Sequence, residues 1–385
     1  MEIYLVGGAV RDTRLGLPVK ERDWIVVGAT PQDMLDLGYQ PVGKDFPVFL
    51  HPQSKEEYAL ARTERKTGHG YTGFETCADP GITLEQDLLR RDLTINAMAE
   101  TPEGELIDPY RGMDDLNNGV LRHVSPAFSE DPVRVLRTAR FAARFEPQGF
   151  HVAHDTNALM RRMVQNGEVS HLVAERVWAE LVKALGTEKP ARFFKVLAGC
   201  GALAVLFPEL VPASAAKNDH GQADIALPVL EQAVTLSTRT TVRFAALACD
   251  MDTVHPGSLD VDALASFCDR YRVPNACREL ARLALQQRQQ LQAATTLSAE
   301  TLLGLLSSVD AFRRADRFAE LLLVCAADAA ADQRAFNSDY LQQALVAAQS
   351  VSAGDLQQQG LSGKEIGKAI QQRRIEAIEH LSQPT

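Results

Sequence analysis

Glu2 to Val6 is a short apolar run closed by Gly7-Gly8, and it predicts a buried strand that ends in a turn. Val10-Arg11-Asp12 then opens a helix. Arg22 to Val27 predicts a second strand. Side chains alternate across a strand, so Glu21 and Asp23 face one way and Arg22 the other. Glu57 to Arg62 predicts a third strand. Thr83-Leu84-Glu85-Gln86 is a capping-box pattern. The helix it starts is expected to run through Met98, with Leu84, Leu88, Ile95 and Met98 at core spacing. Strand signals end near His123. Beyond Pro132 the periodicity is helical, broken at Pro147-Gln148-Gly149, Asn166-Gly167, Gly186 and Gly199 to Gly201. Val211 to Gln222 is rich in small and polar residues and is expected to be a linker. The pattern predicts an α+β chain: a mixed sheet with helices first, then an all-α remainder.

Three segments carry candidate chemistry. Glycine at Gly7-Gly8 permits positive φ and close backbone approach, and free N–H groups in such a turn favour anions. Arg11 follows where it can meet a phosphate. Taken alone, the pair is equally an ordinary strand-to-helix turn. Glu21 and Asp23 on one strand face repel each other without a cation, and a hard Mg²⁺ ion arriving with substrate phosphates resolves that repulsion. Glu57 is a candidate third carboxylate. The alternative is a solvated strand with surface acids. Arg91, with Asp92 and Asn96 expected on one helix face, offers a cation for phosphate and polar groups for ribose.

The third segment begins at Glu130-Asp131-Pro132-Val133-Arg134. Asp131 suits a helix N-cap and Pro132 the first helical position. Arg137, Arg140 and Arg144 follow at helical spacing as a basic stripe. Ionised aspartate only accepts hydrogen bonds and arginine only donates. Cytosine and adenine each present an amino donor beside a ring-nitrogen acceptor; uracil and guanine present a carbonyl beside an N–H. An Asp131/Arg134 pair therefore fits C and A and mismatches U and G, at about 1–3 kcal/mol per buried group left unpaired. Without the upstream segments, a capped helix with an exposed basic face would explain the same residues.

Together these segments resemble the class II tRNA nucleotidyltransferases, the CCA-adding enzymes. The resemblance rests on Gly7-Gly8-Ala9-Val10-Arg11-Asp12, Glu21-Arg22-Asp23, Arg90-Arg91-Asp92 with Asn96-Ala97-Met98, Asp108-Pro109-Tyr110 with Gly112 and Asp114-Asp115-Leu116, and Glu130-Asp131 with Arg134. It covers roughly the first 210 residues, and the ordered set is specific where any one member is not. The resemblance implies a polymerase-beta-like nucleotidyltransferase head over 1–124, a helical neck and RNA-binding region over 125–210, and a helical body and tail over 211–385. It implies template-independent transfer of CMP, CMP and AMP from CTP and ATP to the tRNA 3′ end, with release of pyrophosphate. By position, Glu21 and Asp23 are the catalytic carboxylates that bind Mg²⁺. Gly8, Arg11, Arg91, Arg137 and Arg140 contact the nucleotide, and Asp131 and Arg134 read its base. Arg65 to Glu75, with Gly68, Gly70 and Gly73, matches the loop that the family uses in switching from C to A. Gly363 to Arg374 resembles its C-terminal tail helix, whose basic residues can touch tRNA.

Two departures stand out. Glu21 sits where many relatives have Asp, which adds one methylene and shifts the metal slightly. Long relatives also carry a C-terminal HD phosphohydrolase domain. Here the matching stretch is Ala248-Cys249-Asp250-Met251-Asp252, with cysteine in place of the core histidine. A hydrolase metal site needs several ligands at once, so phosphohydrolase activity is expected to be absent, with Asp250 and Asp252 as loop or helix-end acids.

Composition adds limits. The chain has 385 residues, enough for two to four compact units, and 45% apolar content supports globular cores. No apolar stretch is long enough to span a membrane, and the N-terminus lacks the basic flank and apolar region of a signal peptide. Six scattered cysteines without a C-x-x-C pair argue against zinc and for reduced thiols in a cytoplasm. The net charge of −10 opposes RNA binding until the clustered arginines are considered; an acidic protein with a basic trough is expected. The rivals are a bacterial poly(A) polymerase, which shares head and neck but usually carries a long basic extension, a catalytically dead RNA-binding protein, and a small-molecule nucleotidyltransferase.

Overall fold

The structure, a computed structural model, describes residues 1–42, 48–66, 74–211, 225–254, 261–351 and 364–381. The chain forms two compact units, one holding Met1–Pro208 and the other the described residues from Glu209 onward. The expected linker falls almost wholly outside the described residues.

The first unit is built on a seven-stranded sheet. Its strands are β1 (Glu2–Val6), β2 (Asp23–Val27), β3 (Gln40–Val42), β4 (Val48–Leu50), β5 (Glu57–Leu60), β8 (Ala99–Glu100) and β9 (Leu106–Ile107), in the order β3-β4-β5-β2-β1-β8-β9. A separate hairpin, β6 (Thr63–Lys66) with β7 (Phe74–Cys77), flanks residues 67–73. Those residues hold the glycines of the expected switching loop and lie outside the described residues.

Alternation along β2 sends Ile25 to one core, with Val6, Leu88 and Ala97, and Val26 to the other, with Met34, Phe49 and Leu60. Both faces of the central strands are therefore covered, and function is left to the strand ends. There β1 runs antiparallel to β2 with Val6 opposite Asp23, and β2 runs parallel to β5 with Asp23 opposite Glu57.

The expected long helix is a correction. Thr83 does cap α3 through a capping box with Gln86, but α3 covers only Leu84–Leu89. The chain then turns and forms a short 3-10 helix over Thr94–Asn96. Tertiary pairing takes the backbone bonds that a continuous helix would need: the Thr94 N–H donates to Arg122 O at 2.9 Å, and Leu93 bridges to His123.

Helix α4 (Gly112–Asn117) packs against that 3-10 turn. A Cβ built on Gly112 would lie 2.3 Å from the Thr94 carbonyl oxygen and 2.8 Å from Met98 Cγ. Gly112→Ala is therefore expected to destabilise the first unit by about 1–3 kcal/mol. A denaturation midpoint unchanged from wild type would contradict this close approach.

Strand β10 (Val120–Leu121) pairs in parallel with β11 (His151–Val152), one short strand beyond the expected end of β structure. Helix α5 (Val133–Phe145) packs against α7 (Ala174–Leu185) and α8 (Ala191–Cys200). Its N-terminus lies one residue later than expected, yet Asp131 still caps it: Oδ1 accepts the Val133 N–H at 3.1 Å.

The second unit is helical. Helix α11 (Thr240–Val254) is buried along most of its length and packs against α10 (Pro228–Leu236), α13 (Asn275–Gln292) and α15 (Ala315–Ala331). The expectation that Asp250 is a loop or helix-end acid is corrected, because it is buried within α11. Its two oxygens accept the Val229 and Leu230 N–H groups at the start of α10, at 3.0 and 2.9 Å. Asp252 receives Arg288 at 2.6 Å. A last described helix, Lys364–Glu379, packs on the unit, with Arg374 over the Phe312 ring at 4.6 Å.

Candidate active site

The end of β1, the turn after it and the stripe on α5 enclose a cavity of about 480 Å³. Nine of its lining residues are arginines, against Asp23, Asp92 and Asp131. That excess of positive charge suits a polyanion such as a triphosphate.

Gly7 adopts φ +69°, and a Cβ there would lie 2.8 Å from Arg91 Nη1. Glycine is thus needed both for the turn and for the approach of Arg91. Gly8 begins α1 (Gly8–Arg14), placing Arg11 one turn in, buried beneath the cavity.

Most of these arginines are held from behind by an internal oxygen. Arg137 Nε donates to Asp92 Oδ2 at 2.7 Å. Arg140 Nε donates to Glu180 on α7, and Arg144 Nη2 to Asp12 Oδ2 at 2.8 Å. Arg134 donates to two carbonyls, Ala127 O at 3.0 Å and Arg90 O at 2.7 Å. Arg91 reaches Asp87 and the Asn96 carbonyl, each at 3.4 Å. Anchored in this way, the side chains lose little further freedom when an anion binds.

Burial alone would raise the Asp92 carboxyl. The charge of Arg137, with hydrogen bonds from Asn96 and Arg137, overrides it and holds the group well below the usual carboxylate range. Asp92 and Asn96 were expected to share a helix face. They are instead joined across the turn by Asn96 Nδ2 donating to Asp92 Oδ1 at 2.9 Å, and Asn96 Oδ1 accepts from Arg11. Both anchor arginines, and both line the cavity.

Asp131 is gripped by Arg176 of α7 through two bonds, 3.0 Å to Oδ1 and 2.8 Å to Oδ2. With the Val133 N–H, three of about four acceptor positions on the carboxylate are filled. One remains, on Oδ2, and it can take only a donor.

Asp23 lies at the cavity edge, between this pocket and a second one of about 480 Å³ that also contains Glu21 and Glu57. Partial desolvation raises its carboxyl above the ordinary value, Arg91 opposes that, and Glu21 adds to it. A set of carboxylate oxygens that repel one another is the donor chemistry of a hard cation. Among the described residues no group of three or more His, Cys, Asp or Glu side chains is gathered as a metal cage. A Mg²⁺ site needs only one or two protein carboxylates when substrate phosphates complete it.

Comparison with known proteins shows the family. Residues 3–122 match the Poly A polymerase head domain, and residues 149–214 match the probable RNA and SrmB-binding site of polymerase A. A "Multifunctional CCA protein" of Thioalkalivibrio sulfidiphilus is 53% identical over 99% of this chain and 98% of its own length. A protein of the same name from Nitrosococcus oceani is 52% identical over 98% of each chain.

The chain belongs to the class II CCA-adding tRNA nucleotidyltransferases.

Solved structures agree on the fold. A CCA-adding enzyme with ATP superposes with a TM-score of 0.68 at 22% identity, covering 98% of this chain and 86% of that one. The Thermotoga maritima CCA-adding enzyme complexed with tRNA gives 0.67 at 22% identity, covering 100% and 88%.

For a CCA-adding enzyme, the sequence located the cavity well. Gly8, Arg11, Asp23, Arg91, Asp131, Arg134, Arg137 and Arg140 all line it. Glu21 lines only the neighbouring pocket. Sequence reasoning did not single out Arg176, and it named Arg62, Arg90 and Arg144, which also line the cavity, without giving them a part in nucleotide binding. For Arg176 no local signal existed, because the carboxylate it pairs with, Asp131, lies 45 residues away in sequence.

Proposed function

We propose that this protein adds CCA to the 3′ end of tRNA from CTP and ATP, without a nucleic-acid template, and releases pyrophosphate. The observation that carries the reading is one arginine-lined cavity holding Asp23 at its edge and an Asp131 carboxylate with a single open acceptor position. That position takes the exocyclic amino group of cytosine or adenine. Arg134, a pure donor on the same wall, serves the neighbouring ring nitrogen. Uracil and guanine bring a carbonyl to Asp131 and an N–H to Arg134, and both contacts fail.

In this reading Gly8, Arg11, Arg91, Arg137 and Arg140 bind the triphosphate and sugar, while Glu21 and Asp23 hold Mg²⁺. When bound, Mg²⁺ acidifies the attacking hydroxyl and neutralises charge on the leaving pyrophosphate. The tRNA 3′-oxygen forms its bond to the α-phosphorus as the α–β bridging bond breaks, and the arginines stabilise charge on the departing oxygens. The domains run 1–124 as head, 125–210 as neck and 211–385 as body and tail, and the enzyme works in the cytoplasm, where its tRNA substrate is.

We infer further that the second unit hydrolyses no phosphate ester. The Arg288 guanidinium bonds Asp252 and lies 3.7 Å from Asp328, so it neutralises the acids that a metal would need. Burial pushes the Cys249 thiol up to about 12, leaving it a neutral, weak ligand.

The test is to incubate purified protein with tRNA lacking its CCA end, Mg²⁺, CTP and ATP. A product three nucleotides longer, dependent on Mg²⁺, is expected. A long A tail would favour the poly(A) reading. Release of phosphate from phosphomonoesters or cyclic phosphates with any of several divalent metals would overturn the hydrolase inference.

A further inference from the structure

Arg11 in α1 and Arg144 in α5 lie far apart in sequence, yet both line the cavity and both are bound by one carboxylate. Arg11 Nε donates to Asp12 Oδ1 at 2.9 Å, and its Nη2 lies 2.8 Å from the same oxygen. Arg144 Nη2 donates to Asp12 Oδ2 at 2.8 Å, across a sequence separation of 132 residues. Asp12 itself is buried and is not among the lining residues. It sits behind two arginines that are.

Helix α5 also holds the face of Arg11. Its guanidinium carbon lies 5.0 Å from the Phe141 ring centroid and 5.1 Å from that of Phe145, two rings stacked 2° from parallel. Asn96 takes a bond from Nη1. Of the five N–H groups of Arg11, Asp12 and Asn96 account for three. One is left on each terminal nitrogen, the pair that a phosphate takes in a forked contact.

We propose that Asp12 and Arg144 form a positioning pair that fixes the free edge of Arg11 toward the triphosphate of CTP or ATP, so that nucleotide affinity depends on a residue of the neck helix that acts through Arg11. Burial lowers the affinity of Arg11 for its own proton, and the nearby Arg144 charge adds to that effect. Asp12 placed between the two cations offsets the repulsion and sets their spacing. This rests on the nucleotidyltransferase reading above.

The test measures CTP and ATP binding to full-length protein by equilibrium dialysis, without tRNA. Arg144→Gln keeps length but removes the charge; Arg144→Lys keeps a single charged donor, all that the observed contact uses. The expected result is about tenfold weaker binding of both nucleotides by the Gln variant. The Lys variant should return to within about threefold of wild type. In an Arg11→Lys background, Arg144→Gln should add less than about twofold, because the second change acts through the first.

A lower melting temperature with unchanged dissociation constants would show a purely structural role and overturn the proposal. Effects that multiply in the Arg11→Lys background would overturn it in favour of direct contact by Arg144. Failure of wild-type protein to bind either nucleotide would reject the functional reading itself and the inference with it. Arg144 is half-buried, so these variants are expected to fold; Asp12→Asn, which is buried between both arginines, serves as a second probe with the same expected direction.

Discussion

Asp23→Ala is expected to lower the rate of nucleotide addition on the order of 10³-fold or more, with tRNA binding within about twofold of wild type. In the proposed function the loss follows from removing a metal carboxylate: metal stabilisation of transition-state charge is worth several kcal/mol, and each 1.36 kcal/mol is about a factor of ten. Folding should be little affected. Asp23 is an exposed residue at the start of the central strand β2, and its backbone pairing with Val6 and Glu57 does not use the side chain. Removing it also relieves repulsion with Glu21, one of the causes that raise its carboxyl. The check is single-turnover addition of CMP alongside tRNA binding by anisotropy and a thermal melt. Normal turnover would remove Asp23 from the chemistry. Glu21→Ala should fall in the same direction by less, since Glu21 lines only the adjoining pocket.

Replacing Asp131 carries the second large effect, and two losses combine there. The open acceptor position on Oδ2 disappears, so the preference for CTP over UTP is expected to fall on the order of 10- to 100-fold. Arg176 also loses both of its bonds to that carboxylate. A guanidinium deprived of a paired carboxylate in a half-buried site is costly, and CTP addition itself should drop about 10²-fold. Asp131→Asn separates the two losses. The amide keeps one oxygen for Arg176 but turns a donor toward the base, so selectivity should suffer more than rate. The assay presents each of the four nucleotides singly to tRNA lacking its CCA end. Unchanged ratios in Asp131→Ala and in Arg134→Ala would reject base reading by this pair.

The sequence was legible where chemistry is written locally. A glycine turn after an apolar strand, an acid pair at strand spacing and arginines at helical spacing each name their own element. The glycine turn and the arginine stripe stand where the pattern placed them, whereas Glu21 lies ahead of β2 and outside the cavity that Asp23 lines. It was less legible where the backbone finds its partners far away. The segment from Arg90 to Met98 has helical periodicity, yet it folds as a turn because Arg122 and His123 take its backbone groups. Asp250 reads in sequence as a loop or helix-end acid because the hydrolase ligand pattern is incomplete. It caps a helix other than its own, which periodicity within one segment cannot reveal.

By itself the sequence determined, through the resemblance of its ordered motifs, the family, the class of reaction and eight of the residues that line the cavity, while short-range spacing showed which side chains share a helix stripe. Only the tertiary structure decided how those side chains are held. Asp12 with Arg144, Asp92 with Arg137, Glu180 with Arg140 and Asp131 with Arg176 join positions 40 to 132 residues apart. Such pairs exist because a buried charge needs a counter-charge in hydrogen-bonding geometry, and the folded packing within the first unit chooses which one is near.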